Sequence, residues 1–232
     1  MSTTRITWLG HATVLVESAQ GTRLLIDPFI ANNPKYPKNF TLPKIDYVLL
    51  THGHGDHISD AVPVARHYGS TVVAIFELAD YIAKKGVEKT IGMNLGGSVV
   101  LGDVTATMVE AKHSSAAADE NGMHYVGIAT GFVLSVADGP VIYLAGDTAV
   151  FGDMQLIHEL YRPTIAVLPI GGHYTMGAQE AALACRLLAP QTVLPIHFAT
   201  FPVLKDTPDD LAALVEPGVK VVRWNPGDTY EA

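Results

Sequence analysis

The chain has 232 residues, of which 48% are hydrophobic and 16% are charged, and its net charge is −8. This length can bury a large core and predicts one domain over residues 1–232. The acidic balance and the scattered Lys and Arg residues argue against a broad nucleic-acid-binding face. The low charged fraction is compatible with a homo-oligomer that covers part of the surface.

The sequence also predicts a cytoplasmic location. The N-terminal residues lack a basic start and an apolar signal core, and no run of about 18 apolar residues exists. The single cysteine, Cys185, lies in a helical-looking segment and has no partner for an intrachain disulfide. It is expected to be a small buried hydrophobic residue.

The N-terminal third predicts strands and one long loop. Three strands are expected over 4–9, 12–18 and 22–27, with His11 and Gly21 at the turns between them. The Pro- and Asn-rich stretch 32–43 predicts a loop near a site entrance, where Lys35 and Lys38 would steer a small anion or simply be solvated. The apolar run 47–50 then predicts a strand buried on both faces.

A metal-binding motif directly follows this buried run. His52, His54, Asp56 and His57 are four metal-capable side chains within six consecutive positions. Without a cation, such crowded imidazoles and a carboxylate at a buried strand end would destabilise one another. The intervening glycines are expected to bend the backbone tightly, so that both sides converge on one point.

The rest of the chain alternates between helices and strands. A helix capped by Asp60 and running to about Tyr68, strand 71–75 and helix 77–85, which ends at Gly86, are followed by strands that dominate residues 90–145. The remaining elements are predicted as helix 151–161, strand 165–169, helix 177–188, strand 191–196, helix 208–215 and a strand near 220–223. This alternation predicts an α/β or α+β fold.

Three further polar residues stand where predicted strands end. His113 follows the run 104–109, Asp147 follows 141–146, and His197 follows 192–196. Strand ends commonly carry site residues in layered α/β folds. Any one of these residues alone would usually be an exposed loop residue.

The 52–57 motif, His-x-His-x-Asp-His, resembles the signature of the metallo-β-lactamase superfamily, and the three later residues occur in its order. The flanking motifs resemble its small, uncharacterised metal-dependent hydrolases related to L-ascorbate-6-phosphate lactonase. These motifs are Trp-Leu-Gly-His-Ala, Ile-Asp-Pro, Leu-Ala-Gly-Asp-Thr and Pro-Ile-Gly-Gly-His-Tyr-Thr-Met-Gly. The resemblance covers essentially the whole chain and implies a four-layer αββα sandwich.

The resemblance also implies a dinuclear metal site with two divalent ions. One ion would be held by His52, His54 and His113, and the second by Asp56, His57 and His197, with Asp147 bridging them. Zinc is the default metal for a His-rich site, although the carboxylates also admit manganese or iron. A metal-bridging hydroxide would then attack a small ester, lactone or phosphodiester.

Three neighbours have two interpretations each. Asp27 is expected to accept a ligand's imidazole N–H, or else only forms a turn before proline. His11 either donates to substrate or is a buried structural residue. His173 is either a proton donor beside anion-binding glycine amides or part of a loop cap with Thr175.

Two alternatives to a hydrolase follow from the same residues. One is a mononuclear iron oxidoreductase of the sulfur dioxygenase type, and the other is a metal-binding scaffold without catalytic activity. The expected partner is a small-molecule substrate, with neither nucleic acid nor membrane as a partner. Fold resemblance alone does not identify the substrate.

Overall fold

The computed structural model describes residues 3–232, and two mixed seven-stranded sheets dominate it. Strands and helices are numbered in chain order. The strands of the first sheet, in their spatial order, are β16 (Thr229–Glu231), β1 (Arg5–Trp8), β2 (Val14–Glu17), β3 (Arg23–Ile26), β4 (Tyr47–Leu49), β5 (Thr71–Ile75) and β6 (Thr90–Met93). Strands β3 to β6 are mutually parallel, and the strands on the other side of β3 pair antiparallel.

The second sheet has a similar division. Its strands, in spatial order, are β15 (Lys220–Val221), β14 (Thr192–Ile196), β13 (Ile165–Pro169), β12 (Val141–Leu144), β11 (Thr130–Val136), β8 (Val104–Glu110) and β7 (Ser98–Leu101). Strands β12 to β15 are parallel, and β7, β8, β11 and β12 pair antiparallel. A separate hairpin consists of β9 (Ala116–Asp119) and β10 (Gly122–Tyr125).

Helices cover the outer faces of both sheets. They are α1 (Gly55–Ile58), α2 (Ala61–Tyr68), α3 (Phe76–Lys84), α4 (Met154–Tyr161), α5 (Ala178–Leu188) and α6 (Pro208–Ala212). Helices α2 and α3 contact the first sheet through β4, β5 and β6, whereas α5 and α6 contact the second through β13 and β15. Helix α4 packs on α5. The molecule therefore has four layers, in the order helices, sheet, sheet, helices.

Side-chain alternation along the strands explains the layering. Successive residues of a strand point to opposite faces, so each apolar strand of the second sheet can serve two cores. In β12, Ile142 and Leu144 join the core between the sheets. Tyr143, between them, joins the core beneath α4 and α5. The buried Cys185 belongs to this second core, as expected from the sequence, and burial raises the pKa of its thiol to about 12.

Most predicted elements are present, with several corrections. The strands β5 and β13 and the helix α2 have the predicted bounds, and α3, α5 and β14 differ from prediction by one residue at one or both ends. The Asp60 side chain does not cap α2; its Oδ2 accepts the backbone N–H of Ile30 at 2.7 Å instead. The predicted helices 151–161 and 208–215 are shorter, and the edge strand β16 was not predicted.

Over the described residues, no helix is both long and apolar enough to cross a membrane.

Gly131 permits a close approach between β11 and the end of β12. A Cβ atom there would lie 2.7 Å from the Leu144 carbonyl oxygen and 3.0 Å from that of Ala145. Because these are backbone atoms of a sheet, Gly131→Ala is expected to lower the free energy of unfolding by about 1–3 kcal/mol. Gly152→Ala is the matched control, since a Cβ atom at Gly152 would meet nothing within 4 Å. Urea denaturation measures both, and equal stability of the two variants would contradict this packing constraint.

Candidate metal centre

The motif loop begins at the end of β4 and enters α1. Its two glycines have different roles, and neither has a positive φ angle, so the predicted tight bend is not what they provide. At Gly53 a Cβ atom would lie 2.4 Å from Val126 Cγ2 and 3.0 Å from the carbonyl carbon of Ala116. Gly53 therefore permits close approach to the segment around β9, whereas Gly55 begins α1 in open space.

The candidate ligands form two groups at adjoining strand ends. The first group contains His52, His54 and His113, whose ligand atoms lie within 4.8 Å of one another. In the second group the same holds for Asp56, His57 and His197, together with His11. These are the two sets that the sequence resemblance assigns to the two metals.

Asp147 lies between the two groups. Its Oδ2 is 3.3 Å from His57 Nε2 and 3.2 Å from His197 Nε2 in the second group. The same oxygen is 3.7 Å from His113 Nε2 in the first group. This carboxylate thus reaches members of both groups, as a bridging ligand must.

Backbone hydrogen bonds between the two sheets hold these strand ends together. Thr130 donates to the carbonyl oxygen of Thr51 through both its backbone N–H and its hydroxyl, each at 2.9 Å. The backbone N–H of His197 donates to the carbonyl oxygen of His11, also at 2.9 Å. The ligand positions therefore depend on the packing of one sheet against the other.

The buried donor atoms fit a metal centre. In the described part of the chain, His57 Nε2, Asp147 Oδ1 and His197 Nε2 are among the buried polar atoms without a hydrogen-bond partner. The two Nε2 atoms approach Asp147 closely but lack the alignment of a hydrogen bond. Buried polar atoms without partners are costly, and divalent cations would satisfy them. Five imidazoles and two carboxylates suit zinc and also admit manganese or iron.

The ionisation states agree with metal binding in the first group. Burial and neighbouring His57 lower the pKa of His52 well below its ordinary value. Burial also lowers the pKa values of His54 and His113. These three imidazoles are therefore neutral near pH 7, the form in which histidine binds a metal.

The second group has carboxylates and one imidazole that pair electrostatically. Burial opposes the charge of His57, yet Asp147 and Asp27 raise its pKa well above the ordinary value. Burial likewise opposes ionisation of Asp147, but His57 and His197 hold its pKa well below the usual range. In this protonation state, the positively charged imidazole of His57 stabilises the ionised carboxylate of Asp147. A bound metal would replace one proton of that imidazole and take over this role.

Asp27 and Thr51 connect the two groups through hydrogen bonds. Asp27 Oδ1 accepts the Thr51 backbone N–H at 2.8 Å, and Oδ2 accepts the Thr51 hydroxyl at 2.6 Å. Oδ2 also lies 2.9 Å from His57 Nδ1. Because the hydroxyl hydrogen of Thr51 is used, its oxygen accepts from His52 Nδ1 at 3.0 Å. Once a metal replaces the second proton of His57, both histidines would present an unprotonated Nε2 to a metal.

His11 lies beside a candidate ligand and does not line the open cavity. Its side chain is fully buried, and its Nε2 is 3.0 Å from Asp56 Oδ2. Burial lowers the pKa of His11 to about 4, so a neutral ring donates this hydrogen bond. The same bond opposes the effect of burial on Asp56 and holds its pKa below the usual range. The predicted donation from His11 to a substrate would need a group inserted between these two side chains.

A cavity of about 720 Å³ opens onto the ligands. It is lined by His54, Asp56, His113, Ser114, Asp147, Tyr174, His197, Phe201, Pro202 and Val203. His173 is exposed and lies outside this lining, as do all residues of the 32–43 stretch. That stretch contacts Gly10 through Lys35 and Gly227 through Pro37, and its location near the site entrance stays a prediction.

The loop cap predicted near His173 is also different in the structure. Helix α5 has Gly177 at its N-cap, and the Ala178 N–H donates to Asp206 Oδ2 at 2.8 Å. Thr175 does not cap the helix. The cavity residues of the 201–203 turn were not predicted from the sequence, because no periodicity or motif marks them.

Asp27→Asn tests whether this hydrogen-bond network sets the metal affinity. The Thr51 N–H requires an acceptor at Oδ1, so the amide NH₂ would replace Oδ2 and face His57 Nδ1. That contact favours the tautomer protonated at Nε2, and we expect about 10–100-fold weaker zinc binding in competition with a chelator. Asp103→Asn is the control, because Asp103 accepts from Ser18 outside the centre. Unchanged zinc affinity in Asp27→Asn would contradict the role of the network.

The sequence of this chain is similar to those of known metal-dependent hydrolases. A family model described as a beta-lactamase superfamily domain matches residues 5–197. A UPF0173 metal-dependent hydrolase from Solibacter usitatus is 49% identical over 94% of this chain and 99% of its own. Its counterpart from Archaeoglobus fulgidus is 44% identical over 98% of both chains.

A solved structure extends the similarity to the fold. Igni18, a metallo hydrolase from Ignicoccus hospitalis, superposes with a TM-score of 0.85 at 36% sequence identity. The match covers 99% of this chain and 98% of Igni18. The four layers described above are accordingly those of the metallo-β-lactamase fold. The chain belongs to the beta-lactamase superfamily and, within it, to the UPF0173 metal-dependent hydrolases.

Proposed function

We propose that this metal-dependent hydrolase holds two divalent ions and cleaves a small ester, lactone or phosphodiester. One observation carries the proposal: Asp147 reaches both histidine groups on the floor of an open cavity. Two separate ligand sets that share one carboxylate are the arrangement that a dinuclear centre needs. When bound, two such ions supply an activated water near neutral pH and polarise the attacked group.

The residues of the chain would prepare the site for this reaction. The pair Asp27 and Thr51 keeps His52 and His57 in the tautomers that bind a metal. His11 fixes the carboxylate of Asp56 by a hydrogen bond, which leaves Asp56 Oδ1 free to act as a ligand. In the hydrolysis, the water oxygen bonds to the carbonyl carbon or phosphorus, the bond to the leaving oxygen breaks, and that oxygen takes a proton.

The proposed partner is a small molecule and not a nucleic acid. A cavity of about 720 Å³ is within the range that surrounds a small ligand. Phosphate backbones bind to basic faces, and the chain has 15 Lys and Arg residues against 23 Asp and Glu.

The first prediction from this proposal is metal stoichiometry. We expect two equivalents of zinc to bind per chain, because each histidine group provides a complete ligand set with Asp147. His54→Ala and His197→Ala should each reduce the stoichiometry or strongly weaken one site, and His67→Ala, an exposed control on α2, should not. Calorimetric titration of metal-free protein gives the counts. Saturation at one equivalent would contradict the dinuclear model and favour the mononuclear iron alternative.

The second prediction is catalytic and tests the proposed function itself. The zinc- or manganese-loaded protein should hydrolyse members of a panel of small lactones, linear esters and phosphodiesters. Asp147→Asn keeps the side-chain shape but removes the bridging charge, so we expect turnover to fall by about 10²-fold or more while the fold persists. Circular dichroism checks the fold. Wild-type turnover in Asp147→Asn would contradict the bridging role, and efficient, salt-sensitive RNA cleavage without ester turnover would contradict the substrate class.

A further inference from the structure

One wall of the cavity is apolar and lies directly beside the candidate ligands. Phe201, Pro202 and Val203 form it, and Tyr174 continues it. Val203 is 40% exposed and Tyr174 is 58% exposed, although each has a large hydrophobic surface. Apolar side chains grouped around a concave site are typical of ligand pockets, where they bury the apolar part of the ligand.

This wall is held in place by backbone hydrogen bonds. The Leu204 N–H donates to the Phe201 carbonyl at 3.0 Å, and the Ala199 N–H donates to the Leu204 carbonyl at 3.2 Å. The Leu204 side chain is itself buried and anchors the turn. The Lys205 N–H donates to the Gly171 carbonyl at 3.0 Å, which ties the turn to the end of β13. The exposed apolar surface therefore belongs to a fixed turn.

The turn can approach the metal centre because Gly171 has no side chain. A Cβ atom at Gly171 would lie 2.1 Å from the carbonyl oxygen of His197 and 3.0 Å from Leu204 Cβ. The ring of Phe201 packs on the edge of His11, with 5.4 Å between the ring centroids. The turn that carries the apolar wall therefore packs directly against the backbone of the candidate ligand His197.

The side chains around the cavity disfavour a substrate that carries an anionic group away from the reacting bond. Over residues 3–232, the lining contains no Lys or Arg, and it includes the two carboxylates Asp56 and Asp147. Lys112, next to His113 in sequence, is paired with Glu110 at 2.6 Å. An anionic group remote from the reacting bond would therefore meet apolar surface and no cationic side chain, at a desolvation cost.

We infer that the substrate is an uncharged ester or lactone carrying an apolar acyl or alkyl group, which packs on the wall formed by Phe201, Pro202, Val203 and Tyr174. The inference rests on the proposed function and narrows it to carboxylic esters and lactones in place of phosphodiesters. The reacting carbonyl lies over the ligands, and the apolar group extends toward Val203. The wall then contributes to affinity in proportion to the apolar area that the substrate buries.

Alkyl hydroxamates test this binding mode without requiring turnover, since they bind zinc through their oxygen atoms. Calorimetry with zinc-loaded protein compares acetohydroxamate, butanohydroxamate, hexanohydroxamate and octanohydroxamate. We expect affinity to rise by up to about fourfold per added methylene until the wall is covered. Suberic monohydroxamate has the same number of carbons as octanohydroxamate but ends in a carboxylate, and it should lose this gain.

Variants of Val203 test whether the apolar wall causes the dependence of affinity on chain length. Val203→Asp should abolish the chain-length dependence, and Val203→Lys should raise the affinity for suberic monohydroxamate relative to octanohydroxamate. Val100→Asp is the matched control, because Val100 is a 70% exposed valine on β7 outside the cavity lining. It should leave both affinities unchanged. Zinc content, measured for every variant, shows that the centre is intact.

Hydrolysis is measured beside binding, with γ-butyrolactone, γ-nonalactone and bis(p-nitrophenyl) phosphate as substrates. A kcat/KM that is higher for γ-nonalactone than for the other two supports the inference. Chain-length-dependent hydroxamate binding without turnover of any ester contradicts the proposed hydrolysis but supports the assignment of the wall. Affinities that ignore chain length, or a Val203→Asp variant that binds like wild type, overturn the inference whether or not esters are cleaved.

Discussion

The arrangement of the centre depends on one buried carboxylate, that of Asp147, placed where the two sheets meet. A carboxylate that is almost completely enclosed by protein is unstable unless positive charge surrounds it. Here, imidazoles from both ligand groups approach the same oxygen, at 3.2–3.7 Å. His57 lies in α1, which follows β4 of the first sheet, whereas His113 and His197 follow strands of the second sheet. The electrostatic requirement of Asp147 is therefore met only when the sheets pack in their observed relation.

The backbone is strained at three residues of the site where the two sheets meet. His11, Asp27 and His197 all have positive φ angles, between 46° and 56°, which non-glycine residues seldom adopt. Each is buried, and each contacts a candidate ligand or is one. Substituting glycine would relieve the backbone strain but would remove the side chain that the centre uses. We conclude that the packing of the two sheets stabilises a locally unfavourable backbone, because the side chains must leave the strand ends in these directions.

The sequence predicts the clustering of the candidate ligands better than it predicts the cavity around them, and the reason is physical. Residues that bind one cation need particular atoms, so His52, His54, Asp56 and His57 form a pattern that other structural roles rarely require. The strand ends that carry the later ligands also follow from apolar runs. In contrast, Val203 is an apolar residue in a turn, and its place beside His197 depends on the close approach at Gly171, which no local pattern encodes. For the same reason, the sequence does not indicate that Lys35 and Pro37 of the 32–43 loop contact Gly10 and Gly227.

The candidate ligands and the apolar wall lie on different parts of the fold. The ligands and Asp27 follow strand ends or lie in α1, whereas the wall lies on a turn held by its own hydrogen bonds. Side chains at Pro202 and Val203 face the cavity and are exposed, so changing them alters no ligand and little of the core. Under the proposed function, the group that packs beside the metal centre would therefore vary with this turn. The centre would then set the type of bond that is cleaved, and the turn after β14 would select the molecule that carries that bond.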